Sequence, residues 1–238
     1  EKMFFDQRLP VPGDAALFRQ LEPLAEAAVG AALTPDAGIW EYRGRARVHT
    51  FSAGMCFAAA DRMARVAARL GMVDEAGRWR ARAAPLREEI LRRAWTGKYL
   101  AESFDGTGLD AAVLLAPAMG LLPPEDPRFV ATVEAVGAHL MHDGLIRRYA
   151  EADDFGAPET AFLVCSFWHA DALAMIGRPD EARALFERVL AMRNHVGLLA
   201  EDVDPRTGEL WGNYPQTYSL VGLILTAMRL SRSWEEGF

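Results

Sequence analysis

The chain has 238 residues, 51% of them hydrophobic, and its 33 acids against 26 Lys and Arg leave a formal charge of −7. That length and apolar content provide a substantial core, as one large domain or two small ones, and the acidic balance, with no Lys/Arg block to offset it, excludes a nucleic-acid partner. No apolar run has the length of a membrane span or the layout of a signal peptide, so a cytoplasmic protein without membrane contact is expected.

Ala and Leu dominate the apolar residues, which favours helix. Residues 1–13 read as irregular, broken by Pro10, Pro12 and Gly13. Asp14 caps a first helix over 15–33, with Leu17, Leu21, Leu24 and Ala28 at helical spacing. A long connection, 34–49, carries Gly38-Ile39-Trp40-Glu41-Tyr42-Arg43-Gly44. The second helix, 50–70, opens on small residues (Ala53, Gly54, Ala58) that suit close packing, and Gly71 ends it. Asp74 caps the third, 75–94, whose outer side is rich in Arg and Glu. After a second long connection, 95–108, a fourth helix over 109–119 is nearly all apolar and is expected to be buried. Pro127 opens the fifth, 127–141. The third long connection, 142–158, carries Arg147, Arg148, Tyr149, Asp153 and Asp154. The sixth helix, 159–176, is strongly apolar and the seventh, 180–193, amphipathic. A fourth long connection follows, and the eighth helix runs over 215–230.

Long and short connections therefore alternate. Helices joined by short turns are antiparallel neighbours, so all four long loops fall on one rim. Loops carried on such a scaffold are where function is usually placed. The even-numbered helices are apolar nearly all round and the odd ones amphipathic, which describes an inner and an outer ring. The fold class read from this is all-α, an (α/α)6 toroid, with residues 1–238 as a single partial domain holding about eight of its twelve helices. An incomplete ring exposes inner helices, which calls for a second copy or an N-terminal segment to cover them.

Two acids stand out in the long loops. Glu41 lies between Trp40 and Tyr42, and an apolar wall favours a protonated carboxyl suited to general-acid work. Glu201 follows Leu198-Leu199-Ala200, precedes Asp202, and has Trp211, Asn213, Tyr214 and Gln216 nearby, a more polar loop suited to a base. Carboxylates in differing environments, beside aromatic rings that hold pyranose faces, are what glycoside hydrolysis requires. Other chemistries find less support. Cys56 and Cys165 sit in apolar helical runs without a CxxC, as buried free thiols. The five histidines (His49, His139, His142, His169, His195) show no metal spacing, and Asp202-x-Asp204 lacks the glycine of a calcium loop, with Thr207 in its place. No phosphate-binding glycine loop is present, so neither metal nor cofactor is expected.

Several segments, in order, resemble glycoside hydrolase family fifteen, the glucoamylase and bacterial trehalase family. They include Gly38-Ile39-Trp40-Glu41, Met55-Cys56, Leu109-Asp110-Ala111, Asp126-Pro127-Arg128, Asp143-Gly144-Leu145 with Arg148-Tyr149, Cys165-Ser166-Phe167-Trp168, and Gly197-Leu198-Leu199-Ala200-Glu201 through Gly212-Asn213-Tyr214-Pro215-Gln216. The resemblance runs from residue 33 to 231. It implies an inverting, exo-acting hydrolase of α-glucosidic bonds that releases β-glucose. The resemblance makes Glu41 the general acid and Glu201 the general base, with carboxyls roughly 6.5–9.5 Å apart. It also implies that Arg128 binds sugar hydroxyls and that Trp40 and Glu159 line the pocket, with a small saccharide as the partner molecule. Two departures bear on activity. Thr50-Phe51-Ser52-Ala53 stands where many bacterial members have Thr-His-Ser-Lys, and the family's early helices have no counterpart here. The alternatives are a non-catalytic α-helical interaction domain, and another α/α-toroid sugar enzyme such as an epimerase or phosphorylase.

Overall fold

The computed structural model describes residues 1–153 and 156–231. Its contacts divide the chain into two compact units: residues 1–94 with 103–106 and 118–121, and residues 95–102 and 107–117 with 122 onward.

The first unit opens with a single turn, α1 (Lys2–Phe5), where the breakers predict irregular chain. Buried Phe4 pins it, lying over Gly13 at the spot where a Cβ would stand 2.8 Å from its ring. Helix α2 (Ala15–Ala31) starts where expected, with the Asp14 carboxylate accepting from the Leu17 N–H at 2.9 Å. Helix α3 (Thr50–Arg69) packs against both α2 and α4 (Val73–Ala94). Its small face is buried as predicted at Ala53, Gly54, Ala58 and Ala60, and the side chains of Met119 and Leu121 lie close over Gly54. Trp79 of α4 has no exposed surface and carries the guanidiniums of Arg78 and Arg82 on its ring at 5.0 and 5.2 Å. Ion pairs connect the solvent sides of α2 and α4: Arg19 with Glu75 at 2.5 Å, Arg78 with Glu22 and Glu26 at 2.5 and 2.8 Å, and Arg82 with Glu26.

The expected helix over 109–119 is a 3-10 turn, Ala111–Leu115, in the second unit, followed by a single α-turn, α5 (Ala116–Met119), whose last two residues are grouped with the first unit. The apolar residues are buried as predicted, but Asp110 and Ala111 are tied to the 148–149 segment by strand-like contacts, which keeps the start of this stretch from coiling into an α-helix. Helix α6 (Pro127–Leu140) is capped by Asp126. The hairpin of β1 (Met141–His142) and β2 (Leu145–Ile146) follows. The predicted sixth helix loses its first four residues, because Ala161–Phe162 form strand β3 and α7 (Leu163–Met175) begins after them. Strand β3 pairs antiparallel with β4 (Asp202–Val203), and β4 with β5 (Leu210–Trp211). Helix α8 (Pro179–Leu190) and helix α9 (Thr217–Leu230) both pack on α7.

Helix α9 departs from the expectation of a helix buried all round. It buries its small side, Ser219, Gly222 and Thr226, and leaves Tyr218, Ile224 and Met228 exposed at 66, 55 and 64%. Among the described residues, no helix is long and apolar enough to cross a membrane.

Candidate active site

In the second unit, the loop before α9 is built around Asn194. Its side-chain oxygen accepts from the Val196 and Leu198 N–H groups at 3.1 and 2.9 Å, and its amide nitrogen donates to the Tyr214 hydroxyl. Leu199 and Ala200 are then buried as an anchor, and the Ser219 hydroxyl donates to the Ala200 carbonyl at 2.7 Å. Glu201 comes next, half-buried. Its backbone is fixed on both sides: its N–H donates to the Asn213 carbonyl at 3.0 Å and its carbonyl accepts from Leu163 N–H at 3.0 Å.

Among the described residues, one residue holds the Glu201 side chain by hydrogen bonds. Asn213 donates to Oε2 twice, from its backbone N–H at 3.0 Å and from its side-chain amide at 2.9 Å. Among the described residues, Oε1 has no hydrogen-bond partner. Gly212 makes this possible: with φ at +77°, it passes so close that a Cβ there would stand 2.7 Å from Oε2. A carboxylate aimed by two donors on one oxygen, with the other open, is arranged to take a proton from a water. Trp211 and Tyr214 lie in the same loop with exposed rings. Gln216 donates its N–H to the Leu199 carbonyl at 3.0 Å and caps α9 by accepting from Tyr218 N–H at 3.3 Å.

Asp202 turns to the other side of β4, where burial pushes its carboxyl up against the opposing pull of Arg148. Arg148 itself lies over the Tyr149 ring at 5.0 Å and 3.9 Å from Asp153. The Tyr149 hydroxyl donates to Asp153, and burial with that bond pushes it up to about 12. Asp154 lies outside the described residues. The Asp204 carboxylate accepts from Arg206 N–H at 2.9 Å, so it shapes the turn that precedes β5.

Arg128 lies on a different element. It sits in the first turn of α6, where Nε and Nη2 fork onto Asp126 at 3.0 and 2.7 Å. Arg148 acts electrostatically on Asp202, the neighbour of Glu201 in sequence. Arg148 belongs to the Arg148-Tyr149 segment of the resemblance, which assigns it no role. Glu159 is exposed and precedes β3, in loop and not in helix.

In the first unit, the loop of Glu41 is closed by Asp36 and Arg47, which exchange backbone hydrogen bonds at 2.9 and 3.1 Å. Glu41 itself has a φ of +55°, in the left-handed region that non-glycine residues rarely occupy. Such backbone is costly and collects at functional sites. Trp40 is half-buried beside it. Glu41 itself is exposed. The Tyr42 ring is engaged elsewhere, stacked on His49 at 5.7 Å with Arg45 on it at 4.9 Å. Cys165 is fully buried, its thiol raised well above the ordinary range by burial, which fits an inert core residue.

These features define a class: an all-α scaffold of the α/α-toroid type, with a carboxylate presented from a loop between helices. Solved structures with the same fold include a glycosidase variant in complex with glucose (TM-score 0.73, 20% identity, covering 88% of this chain and 58% of that one). A bacterial glucoamylase complexed with acarbose matches at a TM-score of 0.73 and 14% identity, covering 90% of this chain and 38% of that one. The model of the glycosyl hydrolases family 15 matches residues 29–228, and the chain belongs to that family. A trehalase of Mycolicibacterium smegmatis is 38% identical over 225 residues, 93% of this chain and 34% of the relative. A trehalase of Thermoplasma volcanium is 32% identical over 203 residues, 84% of this chain and 32% of the relative. The chain thus spans about a third of the length of these curated relatives.

Proposed function

We propose that the full protein hydrolyses trehalose with inversion, Glu201 acting as general base and Glu41 as general acid. The observation that carries this reading is the double hold of Asn213 on one oxygen of Glu201 with the other left open. Water activated at Oε1 attacks the anomeric carbon of one glucose. Glu41 gives its proton to the bridging oxygen as that bond breaks, and the second glucose leaves with its configuration unchanged. Trp40, Arg128 and Glu159 contribute to the sugar pocket, with Arg148 as a second arginine for the sugar hydroxyls. The names of the trehalase relatives favour this substrate over maltooligosaccharides.

The test is proton NMR of trehalose turnover by the full-length protein. Equal initial amounts of α- and β-glucose are expected, and Glu201→Gln should lower kcat by about 10³-fold or more, about 4 kcal/mol of barrier. Production of α-glucose alone, or an active Glu201→Gln variant, overturns the mechanism. Turnover that depends on added phosphate would point instead to a phosphorylase.

A further inference from the structure

A furrow of about 700 Å³ opens in the second unit between α6 and α8, with α7 as its floor. None of the residues discussed above for catalysis or sugar binding lines it. It stays open because the facing positions of the two flanking helices are small: Gly137 and Ala138 on α6, Ala184 on α8. Its volume lies within the range of small-molecule sites, about 300–1,000 Å³.

The floor holds an unusual group. His169 is only 3% exposed, yet neither ring nitrogen has a hydrogen-bond partner among the described residues, and Nδ1 is completely covered. Buried polar side chains are almost always paired, so an unpaired imidazole lining a cavity marks a place for an absent partner. Gly137 leaves that ring open to the furrow: a Cβ there would stand 3.3 Å from Nε2. Burial holds the imidazole neutral, with its pKa lowered to about 4, so one nitrogen donates and the other accepts.

The walls decide the ligand's charge. Glu134 faces the furrow with no hydrogen-bond partner among the described residues. Arg178 forks onto Glu181 at 2.5 Å through both Nε and Nη2. Arg188 lies over Gly144 and donates one N–H to the Asp143 carbonyl at 2.6 Å. Two carboxylates thus face two guanidiniums. An anion would meet the acids and a cation the arginines, whereas hydroxyl groups donate to the first and accept from the second. Val133, Leu173 and Leu185 supply an apolar patch for the C–H face of such a molecule.

We propose that this furrow is a second binding site, for a neutral polyhydroxylated molecule of mono- or disaccharide size, held by Glu134, Arg188 and the His169 ring. The proposal stands on the furrow alone and does not depend on the hydrolase reading.

The experiment follows the His169 imidazole by nitrogen-15 NMR in full-length Glu201→Gln protein, with His169→Phe assigning the signal. Glucose, trehalose and inorganic phosphate are added separately to about 10 mM, well above a Kd of about 1 mM. A saturable shift with a sugar, lost in Ala184→Trp, is the expected result. Ala184 and Ala138 are both exposed, so Ala138→Trp provides an independent block from the other wall. A signal unmoved by either sugar, moved by phosphate alone, or still moved by sugar after both blocks overturns the proposal.

Discussion

At the scale of single residues, the candidate base is shaped as much by Gly212 as by Asn213. Gly212 holds a φ of +77°, and a Cβ on it would lie 2.7 Å from Glu201 Oε2 and 2.9 Å from the Glu201 Cβ. The carboxylate end could swing away from a methyl group, but the Cβ–Cβ approach leaves only a backbone shift. Alanine here also takes on a left-handed backbone, at about 1 kcal/mol. Gly212→Ala should therefore lower kcat on trehalose by about 10–100-fold with little change in KM, since the misplaced group acts in the chemical step. Steady-state kinetics on the full-length protein decide this, and an unchanged kcat would show that the Gly212 approach does not position the base. The Leu-Leu-Ala-Glu segment marked Glu201 in the sequence, and its loop composition marked Asn213 as a neighbour. The part played by Gly212 was not legible, because a close backbone approach depends on which strands pair across the loop. The pairing of Arg128 with Asp126 was not legible either, because it depends on how the first turn of α6 sets the two side chains side by side.

At the scale of elements, helical periodicity located α2, α3, α4, α6 and α9 to within two residues at either end, because each repeats an apolar pattern over three or more turns. Strands β3, β4 and β5 were invisible for the opposite reason. Each has two residues, too few for any alternation, and their register is imposed by the loops and by burial of Ala161 and Val203. Burial of α9 was misjudged because its apolar residues outnumber the small ones, while the close contact with α7 selects the small side. Gly222 tests that contact. A Cβ there would stand 2.8 Å from the ring of Phe167, which is only 1% exposed and cannot move aside. Gly→Ala in a helix normally gains about 1 kcal/mol, whereas overpacking a rigid core costs about 1–3 kcal/mol. Gly222→Ala should therefore be net destabilising, with a lower urea midpoint. A raised midpoint would mean that the two helices are less tightly apposed.

At the scale of the whole molecule, buried His169 should leave a signature in the dependence of stability on pH. Its folded pKa is lowered to about 4, chiefly by burial, with Arg178 adding to the effect and Glu181 opposing it. The unfolded chain, with an ordinary histidine near 6.5, takes up the proton first as pH falls. Between about pH 6.5 and pH 4 the unfolded state binds more protons, so stability declines, and below the folded value the loss levels off. From about pH 7.5 to pH 5 the expected loss is about 2 kcal/mol. The ion-paired acids act in a lower window. Glu22, Glu75, Glu89 and Glu181 are all lowered, Glu22 by Arg19 and Arg78 against its own burial and the other three chiefly by hydrogen bonds from arginine, so their contribution is lost only as pH falls below ordinary carboxylate values. Asp202, raised by burial, works in the opposite sense and recovers stability as it protonates. Urea unfolding followed by circular dichroism at about pH 7.5 and pH 5 should show the decline in the native chain. In His169→Phe it should be smaller by about 2 kcal/mol, because neither state of the variant titrates at that position. Equal declines in both proteins would mean that the imidazole is solvated or paired, which would also remove the observation on which the furrow site rests.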